Sequence, residues 1–273
     1  MPLEPLDLPA WDPEQYAAFE AQRDRPALDL LLRLPEGLSP REVWDLGCGA
    51  GQHATLLKRR HPEATVHGLD ADPAMIATAK ARRVEVDWRL GDIGGWAPER
   101  PADLVFTNAA LQWLGDHEAL IPRLTAALTP GGVLAAQMPM ARETPQHRAI
   151  RAVAAEGPWA ETLSGVERMA SLLSAEGYYD LLAPACDGID IWETRYLHVL
   201  NGEDPVLEWV KGTALRPYLA ALERAGRSPD DFLAALGARL AEAFPRRADG
   251  TTLLPFPRLF MVARRARDGV SAG

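Results

Sequence analysis

The sequence is poor in cysteine and contains no long apolar run. Its 273 residues include only Cys48 and Cys186, too few for the disulfide framework of a small secreted protein. No stretch of about 18 apolar residues is present, so no transmembrane helix is predicted. The first residues, MPLEPLDLPAW, lack the basic and apolar regions of a signal peptide. We therefore expect a reduced, cytoplasmic protein without a membrane partner.

Lysine is scarce as well, and acidic residues outnumber basic ones. The chain has 29 basic and 38 acidic residues, which gives a formal net charge of −9. Nucleic-acid binding usually requires a basic face, so a nucleic-acid partner is not expected. Only Lys58, Lys80 and Lys211 are lysines, and arginine supplies nearly all the positive charge. A local arginine pocket for a small anion remains compatible with this composition, whereas no pattern predicts an oligomeric state.

Several signatures of covalent and metal chemistry are missing. The sequence contains no G-x-S-x-G nucleophile motif and no Walker motif. His53, His61 and His67 are close in sequence, but they fall at a helix start, after its end and on a strand. They do not share a face, and no cysteine pair accompanies them. We therefore expect no metal site.

Between residues 42 and 139 the sequence alternates between strand and helix patterns. Asp72 is predicted to cap one helix, and the Pro130-Gly131-Gly132 turn to end another. Such alternation predicts an α/β fold, with a doubly wound parallel sheet and helices on both faces. The predicted strands are Glu42–Leu46, Thr65–Leu69, Val84–Leu90, Leu104–Thr107 and Val133–Met138, and the predicted helices are Gln52–Arg60, Pro73–Ala81 and Asp116–Leu128.

The remaining segments are predominantly helical. An N-terminal helix from Glu14 to Arg33 is expected to break before Arg25, because Pro26 follows. The later predicted elements are helical pieces over 141–182, a strand over Ile189–Val199, helices over Pro205–Gly212 and Pro217–Phe244, and an edge or bulged strand over Leu253–Ala263. We expect one folded unit with four parts: a helical arm or lid (1–40), a Rossmann-like core (41–139), a helical cap and substrate region with one strand (140–250), and a terminal strand with its tail (251–273).

The segment VWDLGCGAG carries the main functional signal. Gly47, Gly49 and Gly51 follow the first strand as G-x-G-x-G, whereas the dinucleotide-binding fingerprint is G-x-G-x-x-G. Asp70, 19 residues after Gly51 (70 − 51), ends the second strand, and Asp92 follows the third. Because ligands bind beyond the carboxyl ends of parallel strands, these residues predict one nucleotide-like site. Each feature alone has a structural alternative: a tight turn for the glycines, a helix cap for an aspartate after a strand, and a turn-forming loop residue for Asp92.

This arrangement resembles the class I S-adenosylmethionine-dependent methyltransferases, whose first motif is an acidic residue followed by G-x-G-x-G, here Asp45 to Gly51. The resemblance implies a Rossmann-like, mainly parallel seven-stranded sheet with an inserted helical cap, and S-adenosylmethionine as cofactor. It implies that Asp70 holds the ribose and that Asn108 lies beside the methyl donor. The residues it assigns to cofactor binding are Gly47, Cys48, Gly49, Gly51, Asp70, Ala71, Met75, Asp92, Ile93 and Asn108, of which Ala71, Met75, Asp92 and Ile93 border the adenine. Tyr16 is a separate candidate for the methionine end of the cofactor, and packing opposite Phe19 is its structural alternative.

Over residues 11–265 the chain also resembles the trans-aconitate 2-methyltransferase family. The motifs that carry this resemblance are WDPEQY, RDRPALDLL, NAALQWL, PGGVLAAQMP, ALRPYL and FPRLFMVARR. Two departures are Ala50, where a proline is common, and a poor match over 140–182. The resemblance implies methyl-ester formation on a small polycarboxylate, most of all trans-aconitate, without a catalytic base.

A polycarboxylate requires positive or hydrogen-bond-donating side chains. Each candidate arginine has a structural alternative, an ion pair, for instance with Asp24 or Asp29. Trp113 and His198 have purely structural alternatives in a core. Arg59, Arg60, Arg82 and Arg83 are interpreted as surface helix charges. The candidate acceptor residues are Arg23, Arg25, Gln112, Trp113, His198, Arg216 and Arg258, with Gln112 and Trp113 as positioning groups.

Other functions remain open at this stage. The divergent 140–182 segment is compatible with the same methyl transfer to a natural-product carboxylate, a phenol or an amine. A nicotinamide-dependent oxidoreductase is disfavoured because Gln52 occupies the third glycine position of that fingerprint. A non-catalytic ligand-binding module that keeps the fold is the fourth alternative.

Overall fold

The structure, a computed structural model, describes residues 20–166 and 170–267, and for residues 20–23 the description is limited to the backbone. Within these residues seven strands form one sheet. They are β1 (Glu42–Leu46), β2 (Thr65–Asp70), β3 (Asp87–Leu90), β4 (Ala102–Asn108), β5 (Leu128–Pro139), β6 (Cys186–Leu200) and β7 (Thr252–Arg265).

The strand order is β3-β2-β1-β4-β5-β7-β6. The first five strands pair in parallel, and β7 pairs antiparallel to β5. This confirms the predicted α/β class with a Rossmann-like, mainly parallel seven-stranded sheet. The central strands are buried on both faces, as in β4, where Leu104, Val105 and Phe106 are fully buried.

The described ranges contain ten α-helices. None of them reaches the length and apolarity of a transmembrane helix. They are α1 (Glu20–Leu32), α2 (Gln52–Arg60), α3 (Pro73–Ala81), α4 (His117–Ala126), α5 (Pro145–Ala155), α6 (Ala160–Leu163), α7 (Ala175–Leu182), α8 (Pro205–Lys211), α9 (Arg216–Arg224) and α10 (Asp230–Ala243).

The described residues divide into two compact units. The first contains residues 140–166 and 195–257, where α10 packs against α5 and α8 around a core that includes Trp159, Trp209 and Phe232. The second contains residues 23–139, 170–194 and 258–267, and most of the sheet belongs to it. The four-part division expected from the sequence stays a prediction.

Helix α1 corrects one expectation. It continues through Pro26 without the predicted break before Arg25. Pro26 and Ala27 are buried, as are Leu30 and Leu31 one turn later. Packing of this apolar face outweighs the backbone hydrogen bond that a proline removes.

The predicted helix over Pro217–Phe244 was wrong as a single element. It is two helices, α9 and α10, separated at Gly226. Gly226 has a φ of +66°, and the amide of Arg227 donates to the carbonyl of Leu222 over 2.9 Å. A glycine in this conformation ends a helix, and Pro229 then precedes the next one.

Two strand starts and one helix end also differ from the prediction. Strand β3 begins only at Asp87, because the chain makes a tight turn just before it, in which the amide of Val86 donates to the carbonyl of Val84 over 2.8 Å. Helix α4 ends at Ala126, and β5 begins at Leu128, so the Pro130-Gly131-Gly132 segment is an irregularity inside the strand rather than a helix end.

Strand β7 is not at the edge of the sheet but lies between β5 and β6. Its pairing with β5 runs from Arg258 to Arg264. Pro255 and Pro257 lie within β7 but precede the segment that pairs with β5, so their missing N–H groups do not disrupt that ladder.

Candidate functional site

The glycine turn after β1 has the conformation that its sequence requires. Gly47, Gly49 and Gly51 have φ values of +74°, +53° and +84°. The amides of Gly47 and Cys48 donate to the carbonyl of Leu69 on β2, over 2.8 and 3.0 Å. Helix α2 follows at once, with Gly51 at its N-cap and no side-chain cap. The turn therefore presents backbone amides at a positively polarised helix end.

At two of the three glycines there is also no room for a side chain. A Cβ atom on Gly51 would lie 2.5 Å from Cη2 of Trp88 on β3. A Cβ atom on Gly47 would lie 2.3 Å from the Cβ of Ala110 and 3.5 Å from Cδ1 of Ile93. On Gly49 it would meet nothing within 4 Å among the described residues. Gly49 is thus the member of the turn with an open side.

Asp70, at the end of β2, holds this turn in place. One carboxylate oxygen accepts from the amide of Gly49 over 2.8 Å, and the other accepts from the amide of Asp72 over 2.9 Å. Partial burial raises the pKa of Asp70, and these amides oppose the rise. Each oxygen keeps a further lone pair for a ligand hydroxyl.

The residues assigned to the adenine lie around the same end of the sheet. Asp92 is exposed and accepts from the amide of Gly94 over 2.9 Å, which is the turn-forming role expected as its alternative. Ile93 is buried beside Gly47. Ala71 is exposed and Met75 is half-buried at the start of α3, which Asp72 caps through the amide of Ala74, as predicted.

Asp45, the acidic residue of the first motif, is only 1% exposed. Burial raises its pKa from 3.8 to about 6, although His53 and the backbone amide of Ala54 oppose the rise. The folded protein therefore holds the proton more tightly than the unfolded chain. The stability of the fold therefore falls as the pH rises from about 4 to about 6. Above pH 6 the ionised, buried carboxylate destabilises the fold to its full extent.

We expect Asp45→Asn to stabilise the ligand-free protein at pH 7.5 by up to roughly 3 kcal/mol, because it removes a buried charge. The difference from wild type should become much smaller near pH 4, where the carboxyl is protonated in the folded protein and only about half ionised in the unfolded chain. Urea denaturation at both pH values measures this effect. Asp72→Asn is the matched control, since asparagine caps a helix as well as aspartate does. Equal gains for Asp45→Asn at both pH values would contradict the assignment.

The turn after β4 carries Asn108, Gln112 and Trp113. Asn108 is half-buried, and its Oδ1 has no hydrogen-bond partner among the described residues. Gln112 is buried and donates from Nε2 to the carbonyl of Ala109 over 2.7 Å, whereas Trp113 is 45% exposed. Ala109 itself has a φ of +54°, an uncommon conformation for alanine that costs backbone energy.

This strain at Ala109 gives a stability prediction. Ala109→Gly should stabilise the protein by about 0.5–1 kcal/mol, because glycine adopts a positive φ without steric cost. The neighbouring Ala110 has a φ of −117°, so Ala110→Gly should instead destabilise by about 1 kcal/mol. Chemical denaturation of the two variants measures the difference. A loss of stability in Ala109→Gly equal to that in Ala110→Gly would refute the prediction.

A buried chain of hydrogen bonds, which was not predicted from the sequence, holds the same turn in place. The hydroxyl of Tyr178 on α7 lies 2.7 Å from Nδ1 of His117, and Nε2 of His117 lies 3.0 and 3.1 Å from the carbonyls of Leu111 and Leu114. Because both carbonyls accept only, Nε2 carries the proton, and Nδ1 accepts from Tyr178 in the neutral ring. These carbonyls bracket the 3₁₀ turn Leu111–Trp113.

Arg258 is a predicted acceptor arginine at this end of the sheet. It is 5% exposed, and its Nη1 donates to Oε1 of Gln137 on β5 over 3.0 Å. Gln137 was missed in the sequence, because nothing local distinguishes a glutamine in an apolar strand. Its strand partner on β4 is Asn108.

The other predicted residues are distributed more widely. Arg25 is exposed and lies 3.9 Å from Asp29, the ion pair named as its alternative. His198 and Arg216 belong to the first unit, where His198 stacks on Trp209 with ring centroids 4.6 Å apart, and Arg216 begins α9. Tyr16 lies outside the described residues, and the side chain of Arg23 does too.

The sequence predicted neither a binding role for Arg82 nor a metal site. Arg82, interpreted as a surface helix charge, is exposed, and its Nε donates to the carbonyl of Ala50 in the glycine turn. Across residues 20–166 and 170–267, histidine, cysteine and acidic side chains form no group of three that has the arrangement of a metal site.

The chain is similar in sequence to known methyltransferases. A sequence model described as a methyltransferase domain matches residues 43–132. The chain is 48% identical to the trans-aconitate 2-methyltransferase of Variovorax paradoxus (strain S110), over 93% of this chain and 98% of the relative. It is 46% identical to the enzyme of the same name from Azoarcus sp. (strain BH72), over 94% of this chain and the whole of that relative.

Solved structures share the fold at low identity. Phosphoethanolamine N-methyltransferase 2 of Haemonchus contortus, solved with phosphomonomethylethanolamine and S-adenosylhomocysteine, matches 89% of this chain with a TM-score of 0.54 and 18% identity. The match spans 53% of that longer protein. The YcgJ protein of Bacillus subtilis matches 90% of this chain and its own full length, with a TM-score of 0.56 and 14% identity. The fold is that of the class I methyltransferases.

Proposed function

Because the chain belongs to the family of trans-aconitate 2-methyltransferases, we propose that it transfers a methyl group to a carboxylate oxygen of trans-aconitate and forms a methyl ester. The methyl donor is S-adenosylmethionine. The observation that carries the proposal is the identity of 46–48% along nearly the whole chain, which includes the acceptor half and not the cofactor motifs alone.

The residues around the glycine turn fit this cofactor. S-adenosylmethionine carries ribose hydroxyls and an electrophilic methyl group on a positively charged sulfur, and it has no pyrophosphate. Asp70 offers a carboxylate for the hydroxyls, and Gly49 offers an open side of the turn. Gly47, Cys48 and Gly51 form the rest of this wall. In this proposal Ala71, Met75, Asp92 and Ile93 border the adenine, Tyr16 lies near the methionine end, and Asn108 lies beside the methyl group.

The chemistry needs no general base from the protein. A carboxyl group with a pKa of about 4 is already ionised at neutral pH. The protein must orient the acceptor and exclude water, and Gln112 and Trp113 are the proposed positioning groups. Arginine forks suit carboxylates, so Arg258 is the proposed main cation, with Arg23, Arg25, Arg216 and His198 as further proposed contacts.

Incubation of the purified protein with S-adenosylmethionine and trans-aconitate tests the proposal. Mass spectrometry should detect equal amounts of a monomethyl ester and S-adenosylhomocysteine. The same reaction with a monocarboxylate, a phenol and an amine covers the alternative acceptors. A folded protein that binds S-adenosylmethionine but leaves trans-aconitate unmethylated would overturn the acceptor assignment.

A further inference from the structure

Gln137 and Arg258 form a buried pair that the proposed function does not by itself explain. Gln137 lies near the carboxyl end of β5 and is fully buried, and Arg258 lies on β7 and is 5% exposed. The guanidinium donates from Nη1 to Oε1 of Gln137 over 3.0 Å. The amide nitrogen of Gln137 has no hydrogen-bond partner among the described residues. An amide that is buried and half-satisfied is costly, which points to a role other than stability.

The strand register fixes where this pair lies. Gln137 is aligned with Asn108 on β4 and with Phe260 on β7, and Arg258 is aligned with Pro139. Directly opposite residues on antiparallel strands share a face, so Gln137 and Phe260 are on one face of the sheet. Neighbouring strands are about 5 Å apart, so Gln137 is one strand spacing from Asn108. The pair thus lies next to the residue proposed to be beside the methyl donor.

The choice of glutamine has an electrostatic consequence. The amide oxygen orients the guanidinium fork as a carboxylate would, but it adds no negative charge. A glutamate in the same place would lower the positive potential of Arg258 at hydrogen-bond distance, in surroundings where charges are poorly screened. Glutamine therefore orients the guanidinium without itself neutralising the positive charge of Arg258.

The change in charge during the reaction determines which carboxylate this guanidinium can bind productively. The carboxylate that is methylated loses its charge as the ester forms. A guanidinium against it would bind the ground state more tightly than the transition state and would slow the transfer. We therefore infer that Arg258, oriented by Gln137, binds a carboxylate of the acceptor that is not methylated. This inference rests on the proposed function, and it limits the acceptor class to molecules with at least two carboxylates.

Gln137→Glu and Gln137→Met test the pair with trans-aconitate as acceptor. Gln137→Glu should raise the KM for trans-aconitate by roughly 30-fold or more, because it adds a like charge to the carboxylate subsite. Gln137→Met, which removes the hydrogen bond without a charge, should raise KM about 3- to 10-fold. In both variants kcat should change by less than about threefold, since the reacting carboxylate is not touched. A purely structural role would not separate Glu from Met in this way.

Calorimetry with S-adenosylmethionine and a thermal melt confirm that each variant is folded and binds the methyl donor. If Gln137→Glu does not fold, the KM and kcat of Gln137→Met decide the question alone. Equal KM values for wild type and Gln137→Met would then overturn the inference, as would a fall in kcat at constant KM. If Gln137→Glu does fold, the inference also fails when both variants share one KM.

An acceptor series separates this inference from the proposed function. Wild type is expected to methylate trans-aconitate and a dicarboxylate analogue, and to lose at least about 100-fold in kcat/KM with the monocarboxylate analogue. Undiminished kcat/KM with the monocarboxylate would overturn the inference and leave the proposed function intact. No product with any of the polycarboxylates would overturn the proposed function, and the inference with it.

Discussion

Gly51→Ala is expected to destabilise the protein by about 3 kcal/mol or more, because two costs add at one position. Gly51 has a φ of +84°, which an L-residue other than glycine rarely adopts. The new Cβ would also lie 2.5 and 2.9 Å from two ring atoms of Trp88 and 3.0 Å from the Cβ of Ala79. The indole is rigid and lies over the turn, so the backbone would have to move. Urea denaturation of the ligand-free protein measures the loss.

Gly49→Ala is the matched control in the same turn. Gly49 has a φ of +53°, but a Cβ there would meet nothing within 4 Å among the described residues. Its cost should therefore be the backbone term alone, about 1–2 kcal/mol. Because that open side is the one proposed to face the cofactor, Gly49→Ala should also weaken the binding of S-adenosylmethionine by about tenfold or more. Equal destabilisation by the two substitutions would show that Trp88 does not limit the turn.

The parts of the fold that were predictable from the sequence are those fixed by local chemistry. Asp72 followed by Pro73 is a helix start wherever it occurs, and α3 begins there with the expected cap. The glycine turn between β1 and α2 likewise depends on residues within a few positions of one another. Alternation of strands and helices then fixes a parallel sheet, because a parallel pair requires a crossover.

The errors came from packing and from neighbours distant in sequence. Pro26 breaks an isolated helix, but α1 buries its apolar face and continues. Pro255 and Pro257 indicated an edge strand, whereas β7 pairs with β5 only from Arg258 onwards and lies inside the sheet. The break between α9 and α10 was within reach, since Gly226 and Pro229 are ordinary end and start signals.

In the candidate site, too, the local motifs were predictable and the contacts between residues distant in sequence were not. The G-x-G-x-G turn and Asp70 are found from spacing alone. The hydrogen bond of Arg258 to Gln137 spans 121 positions, and that of Tyr178 to His117 spans 61. No periodicity marks a glutamine that orients an arginine from another strand. Such pairs are visible only once β4, β5 and β7 are aligned.

Arg258→Met is expected to lower kcat/KM for trans-aconitate by about 100- to 1000-fold, the loss typical of removing one partner of a buried, hydrogen-bonded charge pair. Methionine keeps much of the volume of the side chain but neither its charge nor its fork. Most of the loss should appear in KM, because Arg258 is proposed to bind a carboxylate that does not react. Steady-state kinetics with both substrates varied separate the two parameters.

Arg264→Met on the same strand is the control for Arg258→Met. Arg264 is about half exposed, and its Nε lies 2.8 Å from Oδ1 of Asp187. An exposed ion pair contributes little, about 0–1 kcal/mol, so this variant should keep wild-type kinetics and nearly wild-type stability. Comparable kinetic losses in the two variants would mean that any change on β7 disturbs the site.

Arg258→Lys distinguishes charge from geometry at the same position. Lysine keeps the positive charge but lacks the planar fork that donates to Gln137 and to a carboxylate together. We expect about a tenfold loss in kcat/KM, between wild type and Arg258→Met. If lysine behaved like methionine, the geometry held by Gln137 would matter more than the charge. If lysine behaved like arginine, Gln137 would not be needed to orient the cation, and the carboxylate would be recognised by charge alone.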